Sequence, residues 1–269
     1  MLYKYRNIGD LNKNILDTNL LSLIKNGEIY FSSPDDFNDP FDCKATFNLN
    51  ASDKELLMYM LRANISRKNA IQMIQKIGTK NIQNIAIDKI LNTKENNLKV
   101  FCLTENYKNL LMWSHYGQQH FGVCVGINTY PYEGKYNIRI QGEQIVPINE
   151  QYPINFLPVL KVMYPNDRPK SISITEIPNT KFDQFIFNKS IDWKYEDEYR
   201  IVISTQYLKK NPIKIKRSEI KEIIFGLRTP ETLINEVMEI TKDIKNIKYY
   251  KIYNLEDSYL LEKMEITFA

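Results

Sequence analysis

The sequence predicts an α+β fold in which short strands build the core and a block of helices interrupts them. Three observations carry this. Apolar residues before about residue 48 and after Lys99 fall in short runs rich in Val, Ile, Tyr and Phe, as strands do. Between Asp53 and Leu98 the texture changes. There Leu56, Leu57, Met60 and Leu61, then Ile71, Ile74 and Ile77, then Ile82, Ile85, Ile90 and Leu91 recur at helical spacing. Finally, no internal repeat and no linker-like stretch breaks the chain. Residues 1–269 are therefore expected to form a single domain with a helical insertion at about 51–97.

Composition narrows the class. A chain of 269 residues buries about three quarters of its unfolded surface and needs no staples. Its net charge of +4 suits an anionic ligand but is too mild to argue for nucleic acid. The three cysteines, Cys43, Cys102 and Cys124, make no CxxC pair, and an odd number fits neither a disulfide framework nor a zinc site. No run approaches the roughly 18 apolar residues of a membrane span, and MLYKYRNIGD lacks the apolar core of a signal peptide. A soluble, cytoplasmic protein with no membrane partner is expected.

In chain order, Leu2 to Arg6 alternates aromatic and basic residues and reads as a strand. Leu11 to Lys25 has near-helical spacing closed by Gly27, and Glu28 to Ser32 reads as a second strand. Pro34 to Cys43, with its aspartates and prolines, reads as an irregular loop anchored by Phe37 and Phe41. Its aspartates lack the glycine and terminal glutamate of a calcium loop, so they are read as turn formers and no metal is expected. After the helical block, Lys99 to Leu103 is a strand and Leu110 to Tyr116 a helix, stopped by a left-handed Gly117. Phe121 to Ile127 reads as a buried strand and Asn137 to Val146 as a hairpin. Further strands are expected at Val159 to Tyr164, Tyr199 to Ile203, Ile213 to Ile215, Ile220 to Phe225, Lys248 to Tyr253 and Met264 to Phe268. Helices are expected at Lys181 to Asn188 and at Thr229 to Lys242, with Pro230 in the first turn of the latter.

The densest polar stretch is Trp113 to Gly126, WSHYGQQHFGVCVG, which holds both histidines, His115 and His120. Rigid elements on either side of its Ser-His-Tyr-Gly turn make a mount for chemistry. Together with Tyr3–Arg6 and Glu196–Glu198, the turn Ser114–Tyr116 completes three polar clusters, each on or beside a strand. No G-x-G-x-x-G, G-x-x-x-x-G-K-[ST] or G-x-S-x-G is present, which disfavours Rossmann, P-loop and hydrolase-elbow sites.

The runs LYKYR, YFSSPDDFNDPFD, MWSHYGQQHFGVCVG and WKYEDEYRI resemble the signature runs of a large, uncharacterised bacterial family of unknown function, often met in mobile and phage-defence neighbourhoods. That resemblance spans roughly residues 1–45 and 100–226. A second resemblance is to ADP-ribosyltransferases, whose motifs run Arg or His, then Ser/Thr/Tyr, then Glu. Tyr3 to Arg6 matches the first, Ser114 to Tyr116 the second, and Glu196 or Glu198 the third. Leu20 to Phe31 is also similar to the start of DNA-targeting members. The chain departs from the pattern at the second motif, which has no Ser-Thr-Ser run.

The resemblance implies a split, mostly antiparallel two-sheet core and an enzyme that consumes NAD as substrate. Glu198 would stabilise the oxocarbenium-like state of the ribose, and Glu196 would orient or activate the acceptor. Arg6 would pair with the pyrophosphate, with Tyr3 and Ser114 in the same binding set. Tyr116 would stack on nicotinamide, and His115 would hydrogen-bond or deprotonate the substrate. The expected partners are a macromolecular acceptor, protein or nucleic acid, and an antitoxin, as for a toxin or phage-defence effector. The rival reading is a non-enzymatic protein that binds nucleic acid or a partner through KIKR (Lys214 to Arg217) and KYYK (Lys248 to Lys251).

Overall fold

The structure, a computed structural model, describes residues 1–91, 97–132, 134–146, 155–173 and 182–267. The strands along the chain are β1 (Leu2–Arg6), β2 (Gly9–Asp10), β3 (Ile15–Leu16), β4 (Glu28–Ile29), β5 (Phe47–Asn48), β6 (Leu98–Thr104), β7 (Val123–Ile127) and β8 (Tyr130–Tyr132). They continue with β9 (Lys135–Arg139), β10 (Phe156–Lys161), β11 (Ile172–Ser173), β12 (Glu198–Ser204), β13 (Ile213–Lys214), β14 (Ile220–Phe225), β15 (Lys248–Asn254) and β16 (Leu261–Ile266). The helices are α1 (Thr18–Asn26), α2 (Asp53–Arg62), α3 (Arg67–Ile77), α4 (Thr79–Leu91), α5 (Leu110–Tyr116), α6 (Asp183–Ile186) and α7 (Glu231–Thr241). Among the described residues no helix is long and apolar enough to cross a membrane.

The chain divides into two compact units. One comprises Met1–Ser33, Lys99–Val162 and Asp192–Ala269, and the other Pro34–Leu98 and Met163–Ile191. The first unit is built on a large, mostly antiparallel sheet in the order β16-β15-β14-β7-β1-β6-β12-β10-β9-β8. Between β14 and β1 lies β7, buried at every residue, which explains why Phe121 to Ile127 reads as an apolar run rather than an alternating one. Val123, Val125 and Ile127 join the main core with Leu2, Phe101 and Ile201. Cys124 points into a second cluster with Tyr3, Tyr5, Met112 and Trp113. β1 follows the same alternation. Tyr3 pairs with Gly126 and Tyr5 with Cys124, both in the second cluster, while Leu2 lies in the main core.

In place of the expected two-sheet split there is one continuous strand order, supplemented by three small two-stranded sheets. The reason lies in β10. Phe156 to Val159 pair with β9, whereas Leu160 and Lys161 pair with β12. One strand that changes partner along its length joins what would otherwise be two sheets.

Near the N-terminus the expected long helix is replaced by a small β2–β3 hairpin followed by α1. Asp10 fixes the intervening turn by accepting from the Asn12 and Lys13 backbone N–H groups at 3.0 and 3.2 Å. Asp17 then caps α1 by accepting from Leu20 N at 2.9 Å, so the helix starts seven residues later than its apolar spacing suggests. Gly27 ends it at φ 69°, as expected. The expected hairpin is shifted too: β8 and β9 pair across Tyr130 to Arg139, and Ile145 makes an isolated bridge to Leu208.

The second unit holds the expected helical segment as α2, α3 and α4. They pack around Leu56, Met60, Ala70 and Ile82. A capping box between Ser52 and Glu55 starts α2. A parallel β5–β11 pair and α6 complete the unit. A polar loop is expected from the sequence at Asn166 to Thr180, and its stretch 174–180 lies outside the described residues.

Candidate functional site

The helix α5 carries three of the polar side chains singled out in the sequence, Ser114, His115 and Tyr116, and it is pinned at three points. Asn109 caps its start, accepting from Leu111 N and Met112 N at 2.8 and 3.1 Å while its Nδ2 donates to Tyr195 O at 3.1 Å. Trp113, fully buried, donates its indole N–H to Tyr107 O at 2.7 Å. At its end Tyr116 donates its hydroxyl to Glu196 Oε1 at 2.6 Å. The first and third of these bonds tie α5 to the 3-10 turn Ile191–Glu196 that leads into β12. Exposed His115 lies with its ring 6.3 Å from Tyr116 and 6.1 Å from Tyr195.

Gly117 is not the left-handed stop expected of it, since its φ is −104°. A Cβ there would meet the Trp113 ring at 2.7 Å, so the glycine is needed for close approach rather than for φ. The left-handed residues are the next three, Gln118, Gln119 and His120, with φ of 48°, 54° and 71°. Such non-glycine residues persist only where surroundings enforce them. Gln118 supplies the tie, accepting from Ile8 N at 2.8 Å and donating to Gly9 O at 2.7 Å. His120 N donates to Trp113 O at 3.2 Å, and Arg228 N donates to His120 O at 2.9 Å. This turn brings His120 Nε2 to 3.3 Å from Ser114 Oγ, a pairing that spacing along α5 does not suggest. Burial, and then Arg228, lower the His120 pKa below its ordinary value.

The head of β12 carries two buried carboxylates, Glu196 and Glu198. Arg200, two residues along the strand and fully buried, clamps Glu198 with Nε at 2.7 Å from Oε1 and Nη2 at 2.8 Å from Oε2. A bidentate guanidinium–carboxylate pair of this kind is short and strong. β6 lies between β1 and β12, so these two strands are one strand apart in the sheet. The side chains communicate nevertheless. Burial, and after it Arg6, lower the Lys4 pKa to about 8 against the opposing effect of Cys102, Glu198 and Glu196. Lys4 also donates to Cys102 O at 3.0 Å. Burial pushes the Cys102 thiol well up, and Glu198 adds to the effect. The Arg6 guanidinium is lowered by burial, and its Nε is buried with no hydrogen-bond partner among the described residues.

Of the seven residues named from the sequence, Tyr116 and Glu196 are joined by a hydrogen bond with His115 beside Tyr116, while Arg6, Glu196 and Glu198 all act electrostatically on Lys4. Ser114 pairs with His120 instead. Tyr3 donates to Glu222 Oε1 at 2.7 Å, an oxygen that also receives Lys263 Nζ at 2.6 Å. Sequence reasoning missed Lys4, Arg200, Cys102 and His120. Lys4 lies inside the LYKYR run and Arg200 inside YEDEYR, so i, i+2 spacing along a strand was the available signal for both.

With this geometry in view, comparison with known proteins is informative at one level. A family described as "Protein of unknown function (DUF2971)" matches residues 112–201. The match contains the α5 turn and the head of β12, the two segments joined by the Tyr116–Glu196 bond. LYKYR and the aspartate-rich loop fall outside it. No curated protein and no solved structure matches the chain.

Proposed function

We propose that this chain is an NAD-consuming, ADP-ribosyltransferase-like enzyme that modifies a macromolecule, with its site where β1, the end of α5 and the head of β12 meet. The observation that carries the reading is the buried Arg6 Nε, without a hydrogen-bond partner among the described residues, on the strand whose Lys4 is acted on by Arg6 and by two buried carboxylates. Native structures rarely leave a buried donor unsatisfied, so an anionic group such as a pyrophosphate is a fitting partner. Lys4, held near 8, adds a second adjustable cation.

In this reading the bond from the ribose C1′ to nicotinamide breaks with its electron pair leaving on nicotinamide. The positive charge left on the ribose is stabilised by a carboxylate until the acceptor nucleophile attacks C1′ and gives up its proton. The Arg200 clamp engages both oxygens of Glu198, so we assign the stabilising role to Glu196, which the Tyr116 hydroxyl holds in place. Glu198 then becomes the positioning partner of Arg200. The order of the three motif segments, shared with ADP-ribosyltransferases, supports the same reading of the sheet.

The rival binding reading is weakened by charge pairing. Lys214 faces Glu28 at 3.3 Å, Arg217 faces Asp243 at 2.5 Å, Lys248 faces Glu265 at 3.9 Å and Lys251 faces Glu231 at 3.7 Å. Both basic runs are therefore partly neutralised. The deciding experiment incubates the protein with labelled NAD and cell lysate, then fractionates the polymers. The expected result is label on one polymer class, falling about a hundred- to a thousandfold in a folded Glu196→Gln variant. Absence of NAD consumption and of label with the wild type would remove the reading.

A further inference from the structure

The second unit contains a cavity of about 260 Å³ whose walls include Phe41, Pro165, Pro169 and Phe185. Its polar lining includes Asp42 and Lys189, whose side chains are only 1% and 5% exposed and lie 3.4 Å apart. At the rim, Asp39 Oδ1 accepts from Phe41 N at 2.8 Å and fixes that backbone, while the Phe41 ring stays 67% exposed. The Arg168 guanidinium lies 5.4 Å over the same ring and donates to Lys44 O at 2.8 Å.

Charge decides the class of ligand. The lining acids Asp39, Asp42 and Asp167 balance the bases Lys44, Arg168 and Lys189 three against three. The bases are also engaged, Lys189 with Asp42, Lys44 with Asp35, and Arg168 with a carbonyl. A phosphate would therefore meet as much repulsion as attraction. Apolar walls with a polar, charge-balanced floor suit an uncharged planar ring with donors and acceptors on its edge. At about 260 Å³ the cavity is just below the ~300 Å³ at which drug-sized pockets begin, so it suits a single ring system.

We infer that this cavity binds the base of a nucleoside, stacked on Phe41, with its edge hydrogen-bonded to the polar floor. The site is contained in the second unit and does not depend on the NAD reading. Base–aromatic stacking gives such a site its affinity, with Arg168 adding to it from the rim.

The test uses the full chain and saturation-transfer NMR with adenosine, guanosine, cytidine, uridine, adenosine monophosphate and inorganic phosphate. At least one nucleoside is expected to saturate, with the 5′-phosphate making little difference and inorganic phosphate failing to compete. Phe41→Ala, at a position too exposed to threaten folding, should weaken binding roughly 5- to 150-fold. Phe41→Tyr should retain it. Three results would each overturn the inference: no nucleoside saturating, equal binding by Phe41→Ala, or displacement by inorganic phosphate.

Discussion

Glu198 in the first unit and Asp42 in the second are both carboxylates buried against a cation, yet they are built differently. Glu198 gives both oxygens to an arginine on its own strand at 2.7 and 2.8 Å. Asp42 faces Lys189 at 3.4 Å from a distant part of the chain, beside an open cavity. The first arrangement makes a charge pair part of the sheet, so chemistry and stability are tied to the same atoms. The second keeps the charges at the floor and leaves the exposed rim, Phe41 and Arg168, free to change without touching the core. Substitutions in the two places should therefore behave in opposite ways.

The largest effect is expected at Glu198. Glu198→Gln removes the carboxylate charge that clamps the buried Arg200 guanidinium, which should destabilise the fold by about 3–5 kcal/mol. Urea denaturation would show it, and pairing Glu198→Leu with Arg200→Met should recover much of the loss. Loss of function in Glu198→Gln with unchanged stability would instead make Glu198 the catalytic charge.

Lys4 comes next. Its pKa is about 8 folded and 10.5 in the free side chain, so between these values the unfolded chain holds more protons. Stability should therefore rise from pH 8 toward pH 10, by at most about 3 kcal/mol. Above that, Tyr3 and Tyr5, whose ionisation is delayed by burial, should make it fall again. Lys4→Met should flatten the rise in denaturation curves taken across this range. An unchanged slope would mean that Lys4 titrates normally.

Smaller still, Tyr116→Phe removes one hydrogen bond to a charged acceptor and should cost about 1.5–3 kcal/mol. It should also depress any NAD turnover, read by nicotinamide release. Smallest is Phe41→Ala, expected to stay within about 0.5 kcal/mol of wild type in thermal melts while abolishing most nucleoside affinity. A large stability loss there would erase the contrast between the two units.

Local signals read well where chemistry is local. The helix Leu110 to Tyr116 was legible because Asn109 caps it and its apolar spacing is regular. The helical block was legible for the same reason, and Ser52 marked its start. Leu11 to Lys25 misled because the Asp10 turn and the Asp17 cap override apolar spacing. The β10 partner change was hidden because pairing is a long-range choice. At the site, residue types pointed to Arg6, Tyr116 and Glu196, but which side chains touch was not legible. Glu198 stands out in the sequence as the carboxylate beside the strand, but its burial against Arg200 is set by the sheet and was not legible.

The left-handed run Gln118 to His120 has a consequence for the order of folding. Its conformation is locally unfavourable, and beside local bonds to Ser114 O and Trp113 O it is tied to Ile8, Gly9 and Arg228, more than a hundred residues away in sequence. The long-range ties form only when those segments meet, and closing such distances costs entropy first. We expect the Gln118 ties to form late, after the folding transition state. Gln118→Ala should accordingly speed unfolding and leave refolding rates nearly untouched, a split that a chevron plot resolves. The Ser114–His120 pair that rests on this turn comes into being only once the sheet around β7 has closed.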